Sequence, residues 1–278
     1  MKYHKGQETD TLVIRDPHNK IIIRGSAVSS TGMVRGNNED SVQLWSFETA
    51  ILGLVADGMG GAAGGEEASR LAVETVQKDF LDRLPEPATW QTTTETEIFK
   101  QLRTALMKAN ENVLLRAEQE HELEGMGTTA TLVLVQGTRA LFAHIGDSRA
   151  YWIQQQSQHI SRVTHDHSFV EALISSGHLT REQAEVHPMR NVLYRALGQK
   201  ADSDFEVDTF AHDLAPGDRL VLCSDGLPRH LEDHEIAEIA LAFSKPHMIA
   251  QSLVDLANER GGEDNVSAVV LVIEALDT

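Results

Sequence analysis

Five short acidic turns punctuate this chain: GNNED (36–40), ADGMGG (56–61), HIGDSR (144–149), CSDGL (223–227) and GGEDN (261–265). Asp57, Asp147 and Asp225 each follow an apolar run that reads as a strand (ILGLVA, RALFAHIG, RLVLCS), and Asp264 precedes another, NVSAVVLVI. Strand ends can bring distant residues to one edge of a sheet, so this placement calls for a fold in which the carboxylates meet. Such a cluster suits hard, oxygen-seeking divalent cations, and two cations sharing a carboxylate can activate water against a phosphate ester.

Composition narrows the alternatives. A length of 278 residues with 41% hydrophobic content supports a substantial globular core. A formal charge of -18 repels nucleic acid and anionic membranes. The N-terminal MKYHKGQETD lacks the apolar segment of a signal peptide, and no uncharged apolar stretch is long enough to span a bilayer. These features predict a soluble, cytoplasmic monomer. A single cysteine, Cys223, excludes an internal disulfide and a thiolate metal cage.

Periodicity orders the chain. Residues 11–24 read as two β-rich runs around the turn DPHN, a hairpin extending a sheet edge. Ala68, Ala72, Val76, Phe80 and Leu84 recur every four positions, a buried helical stripe stopped by Pro85 and Pro87. A second stripe runs through Ile98, Leu102, Ala105, Ala109, Val113 and Ala117. TATLVLV, RALFAHI, RAYWIQ and HISRV then read as an antiparallel meander, and 165–200 as a more polar surface insertion with a short helix near Phe169 to Ser176. Strands return at FEVDTF and RLVLCS, helices follow over 232–259, and NVSAVVLVI is the last strand. There is no repeat or low-complexity linker, so a single domain over 25–275 is expected, with 1–24 as an N-terminal extension.

Taken singly, an Asp-Gly pair is a tight turn. In order, however, VRGNNEDS, DGMGG, GMGTTATLVL, GDSRAY, THDHS, HPMRNVLYRALG, SDGL and GGEDNVS resemble the metal-dependent type 2C protein serine/threonine phosphatases in their compact bacterial form, over about residues 25 to 273. The resemblance implies an α+β fold, a four-layer α/β/β/α sandwich of two central antiparallel sheets flanked by helix pairs. It also implies a binuclear Mn2+ or Mg2+ centre whose bridging hydroxide hydrolyses phosphoserine and phosphothreonine in proteins phosphorylated by a serine/threonine kinase.

Carried over by residue, the resemblance makes Asp57 the bridge between the metals, with the backbone carbonyl of Gly58 on one and Asp225 and Asp264 on the other. Glu39 and Asp40 would orient metal-bound water. Arg35 matches the family's phosphate-holding arginine, and a planar guanidinium suits two phosphate oxygens. Asp147 matches an aspartate that, with Asp225, holds a third and weaker metal in bacterial members; its alternative is a structural hydrogen-bonding role. The segment from about His165 to Arg195 corresponds to the flap beside the active site. Animal enzymes carry a histidine at Met59, which cannot donate a proton, so a metal-bound water is the expected acid.

Rival readings are weaker. CSDGLPR has the C-x5-R spacing of cysteine-dependent phosphatases, yet Asp225 adds negative charge to that loop and Pro228 removes a backbone donor. GMGGAA from Gly58 satisfies a loose dinucleotide pattern, but Asp57 would crowd the pyrophosphate and the expected next strand is missing. The thirteen histidines, His165 and His167 included, match no compact zinc spacing. The rival from another class is a non-catalytic phosphatase-like regulatory module, which has no need to retain five mutually repelling acids.

Overall fold

The computed structural model describes residues 4–5, 11–16, 20–47, 49–81, 93–200 and 206–276. Among these residues, thirteen strands lie in two antiparallel sheets. The first is ordered β1 (His4–Lys5), β4 (Asp40–Ser46), β5 (Ala50–Met59), β7 (Ala130–Gln136), β8 (Arg139–Ile145) and β11 (Asp208–Asp213), with β6 (Gly127–Thr128) also on β5. The second is ordered β10 (His159–Arg162), β9 (Arg149–Gln154), β12 (Arg219–Cys223), β13 (Val266–Ala275), β3 (Ile21–Ser30) and β2 (Leu12–Asp16).

Both sheets are covered on both faces, which is why their central strands read as unbroken apolar runs. Along β5, Ile51 and Val55 point between the sheets, where they meet Val133, Phe142, Leu222, Val269 and Leu271. Leu52, Leu54 and Ala56 point outward against α1 (Ala62–Val76) and α2 (Glu95–Gln119) through Ala72, Val76, Leu102 and Leu106. The second sheet buries Val221, Cys223, Val270 and Val272 against α5 (Asp233–Ala242) and α6 (Pro246–Glu259). The result is the expected α/β/β/α sandwich. Truncating a central residue such as Leu54, which is fully buried, would cost about 2–5 kcal/mol.

The strands expected of the N-terminal hairpin pair, β2 with β3 from Leu12↔Gly25 to Asp16↔Ile21, with β2 at the sheet edge, while residues 17–19 of the DPHN turn lie outside the described residues. Beyond α1 the helix widens into a π turn over Gln77–Leu81. Leu84, Pro85 and Pro87 lie outside the described residues. The 165–200 segment carries two short helices, α3 (Phe169–Ser175), capped by Ser168, and α4 (Arg181–Glu185), opened by a Thr180/Gln183 capping box. The bridge Ser168↔Leu193 closes the segment on itself, and Thr128↔Leu197 ties it back to the sandwich.

The expected meander needs a correction. β7 and β8 are neighbours in the first sheet, but β9 and β10 belong to the second, so the chain changes layer at Gly146–Ser148. Gly146 makes this turn at φ +109, a conformation that favours glycine. Strands buried on both faces look alike in sequence whichever sheet they join. Among the described residues no helix is long and apolar enough to cross a membrane.

Candidate metal centre

The centre is assembled at one end of the sandwich from the turns flanking β4, β5, β8, β12 and β13. Asp40 opens β4 directly opposite Asp57 near the end of β5. Asp57 is anchored by its backbone: its N–H donates to Thr129 Oγ1 at 2.9 Å, and its carbonyl accepts from Thr128 Oγ1 and from the Thr129 N–H, each at 2.9 Å. Gly58 N–H donates to the Glu39 carbonyl at 3.1 Å. Any Cβ on Gly58 would lie 2.1 Å from the Gly65 carbonyl oxygen, so only glycine lets α1 approach the DGMGG turn this closely.

Asp40 is held by two serines from the second sheet. Its Oδ2 accepts from Ser224 Oγ at 2.7 Å and Ser267 Oγ at 2.6 Å, while its buried Oδ1 has no partner among the protein atoms. Asn265 stitches the loops together, accepting from the Glu39 N–H at 2.8 Å and donating to the carbonyls of Thr31 and Asn37, both at 2.9 Å. These serines, Thr129 and Asn265 were not singled out as functional from sequence. Their one sequence signal is a polar side chain inside or abutting an apolar strand.

The carboxylates repel one another. Burial, then the charges of Asp40, Asp225, Asp147 and Asp264, hold Asp57 well above the ordinary carboxylate range. Asp147 is raised in the same way, by burial and then by Asp225 and Asp166, with Arg229 and Arg149 opposing. Burial also lifts Asp225, against the pull of Arg229. Asp40 is pushed up to about 7, again mainly by burial, despite its two serine hydrogen bonds. Glu39 is raised by burial, offset by Arg35, with Asp264 and Glu66 adding to the rise.

Two arginines answer this charge. Arg35 Nη2 stands 3.0 Å from Asp264 Oδ2, and Arg229 Nη1 stands 3.3 Å from the same oxygen. Arg229 Nη2 is also paired with Asp225 Oδ2. Among the described residues no three His, Cys, Asp or Glu side chains are gathered closely enough to hold a metal ion as they stand. The donor set nevertheless fits hard divalent cations: it is all oxygen, it repels itself when ionised, and it includes the orphaned Asp40 Oδ1. The sequence-predicted Asp40, Asp57, Asp147, Asp225 and Asp264 are thus brought together at one end of the fold, near enough for their charges to act on one another, with Glu39 and Arg35 at its rim.

The sequence model of the Protein phosphatase 2C family matches residues 25–263. The chain belongs to the protein phosphatase 2C family. Serine/threonine protein phosphatase PstP of Mycobacterium tuberculosis is 38% identical over 250 residues, covering 90% of this chain and 45% of that protein. This chain therefore spans about half the length of that relative. Serine/threonine phosphatase stp of Listeria monocytogenes is 37% identical over 245 residues, 87% of this chain and 92% of that one. The solved catalytic domain of PstP in complex with two manganese ions matches at 34% identity and TM-score 0.76, covering 91% of this chain and 99% of that chain.

Within this protein phosphatase 2C chain the decoy residues have other work. Cys223 is fully buried in β12, and burial pushes its thiol up to about 12, so it is no nucleophile. His167 accepts from the Gly146 N–H at 3.1 Å through Nδ1 and faces Asp208 Oδ2 at 3.2 Å through Nε2, tying the flap segment to the turn that carries Asp147. The carbonyl of His165 meets His144 Nε2 at 3.1 Å. Arg149, next along from Ser148, forks onto Asp166 with Nε–Oδ1 at 3.1 Å and Nη2–Oδ2 at 2.7 Å.

Proposed function

We propose that the chain is a metal-dependent protein serine/threonine phosphatase acting on phosphoserine and phosphothreonine in proteins. The observation that carries this reading is the gathering of five aspartates at one end of the sandwich, drawn from four strand-end turns and the start of β4, in a family whose solved member holds two manganese ions. Asp57 would bridge two Mn2+ or Mg2+ ions, the Gly58 carbonyl would bind one, and Asp225 and Asp264 the other. Asp147, with Asp225, would hold a third and weaker ion. When bound, the cations would supply an acidified water as nucleophile and would offset charge on the phosphoryl oxygens.

The rest falls to side chains of the chain itself. Arg35 would bind two phosphoryl oxygens through its fork. Glu39 and Asp40 would orient water toward phosphorus, with Ser224 and Ser267 fixing the Asp40 rotamer so that Oδ1 stays free to accept. Residues 25–275 would form the catalytic domain, with 1–24 an extension, and the protein would work as a cytoplasmic monomer. The competing reading is a non-catalytic regulatory module. Turnover of p-nitrophenyl phosphate and of a phosphothreonine peptide, dependent on Mn2+ and lost in EDTA, separates the two; full activity in chelator, or none with metal, sinks the proposal.

A further inference from the structure

Arg229 closes the CSDGLPR segment, and burial of Cys223 leaves it without the role a cysteine-dependent phosphatase would give it. Its position is nonetheless specific. Nη2 pairs with Asp225 Oδ2 and donates to Asn191 Oδ1 of the flap segment at 3.3 Å, while Nη1 lies 3.3 Å from Asp264 Oδ2. That last oxygen also accepts from Arg35 Nη2 at 3.0 Å. Two guanidinium groups therefore converge on one carboxylate oxygen, one carried by the turn before β4 and the other by the turn after β12. Both remain open to solvent, with side-chain exposures of 49% for Arg35 and 32% for Arg229.

We propose that Arg229 is a second phosphate-binding residue and forms with Arg35 a two-arginine clamp on the phosphoryl group of the substrate. The proposal rests on the reading of Asp225 and Asp264 as cation ligands. Once divalent cations take those carboxylates, neither serves the arginines as a full counter-charge, and a guanidinium cannot shed its proton. Asn191 is neutral, so it orients Arg229 without balancing it. A phosphate dianion offers several terminal oxygens and the matching charge for two forks. The root of the side chain is already fixed, because Arg229 N–H donates to the Asp225 carbonyl at 3.3 Å and Leu231 N–H to the Leu227 carbonyl at 3.1 Å. Through Asn191 the clamp also touches the flap segment, so phosphate occupancy and flap position are linked at one side chain.

The test titrates inorganic phosphate into the Mg2+-saturated chain by calorimetry, for wild type, Arg229→Ala, Arg229→Lys and Arg35→Ala. Arg229→Ala should weaken phosphate binding by about tenfold or more, the loss of a charge-assisted contact. Arg229→Lys should recover only part, because an ammonium supplies charge without the fork. With a phosphothreonine peptide, Arg229→Ala should raise KM far more than it lowers kcat. Should Arg229→Ala melt early, Arg229→Gln carries the same expectation. Wild-type phosphate affinity in Arg229→Ala, with or without a loss in Arg35→Ala, would reduce Arg229 to a counter-ion of the acids and overturn the clamp. Turnover by the wild-type chain is scored separately: none, with the phosphate effect intact, would remove the phosphatase reading and leave the clamp standing.

Discussion

Asp40 stands directly opposite Asp57 in the β4–β5 ladder, so two carboxylates project from neighbouring strands onto the same face. Burial, with the charges of Asp225 and Asp264 adding to it, pushes Asp40 up to about 7. A carboxyl raised in the folded state favours folding below its unfolded pKa and loses that contribution as pH climbs through the folded value. Asp40→Asn removes this loss while keeping an acceptor for Ser224 and Ser267. In EDTA the variant should therefore out-melt the wild type by a margin that widens between pH 5 and pH 8, on the order of a few kcal/mol. Added Mn2+ should stabilise the variant less than the wild type. A margin that stays flat with pH would show that burial does not raise Asp40.

Metal removal separates the two hydrolytic mechanisms. Activity should vanish in EDTA and return with Mn2+, and Asp57→Asn and Asp225→Asn should each nearly eliminate turnover. Cys223→Ser should keep most of it, since that thiol is buried and held near 12. Loss of activity in Cys223→Ser with retention in Asp57→Asn, measured on p-nitrophenyl phosphate, would reverse the assignment.

Arg35 offers a check on the substrate end of the site. Losing its charge-assisted bonds to phosphate costs about 1.5–3 kcal/mol. Arg35→Ala should raise KM for a phosphopeptide more than tenfold at saturating metal. An unchanged KM would place the phosphate elsewhere.

The strand-end aspartates were legible in sequence because each sits in a turn signal beside an apolar run, a pattern complete within about ten residues. The stripes of α1 and α2 were legible for the same reason. The partners that hold the site were not. Ser224 and Ser267 reach Asp40 across separations of 184 and 227 residues, and Arg229 meets Asp264 from another turn, contacts that leave no local period. The change of sheet at Gly146 was hidden too, because strands covered on both faces carry no mark of which layer they join.

His144 gives a pH signature away from the carboxylates. It is fully buried between Thr131 Oγ1 at 2.9 Å and the His165 carbonyl at 3.1 Å, and burial pushes it down to about 4. A depressed histidine contributes stability fully above its unfolded pKa, near 6.5, and loses it as pH falls toward the folded value. Relative to His144→Gln, the wild type in EDTA should lose up to about 3 kcal/mol between pH 6.5 and pH 4. Parallel melting curves for the two proteins across that range would show that His144 does not titrate there.

Asp147 is the least constrained of the acids. It lies on the Gly146–Ser148 crossover between the sheets, where Ser148 Oγ is 2.7 Å from Thr129 Oγ1 and the Gly146 N–H donates to His167, so the turn is held by its neighbours. The Asp147 carboxyl itself is raised by burial and by Asp225 and Asp166. A side chain that repels its surroundings is a poor structural element and a good cation ligand. Asp147→Ala should therefore lower kcat, raise the Mn2+ concentration needed for activity, and scarcely change the melting temperature of the metal-loaded protein. Its metal-free melting temperature should rise, because one repelling charge has gone. An early-melting variant, or wild-type kcat at every Mn2+ concentration, would make Asp147 a structural turn residue and end the case for a third cation.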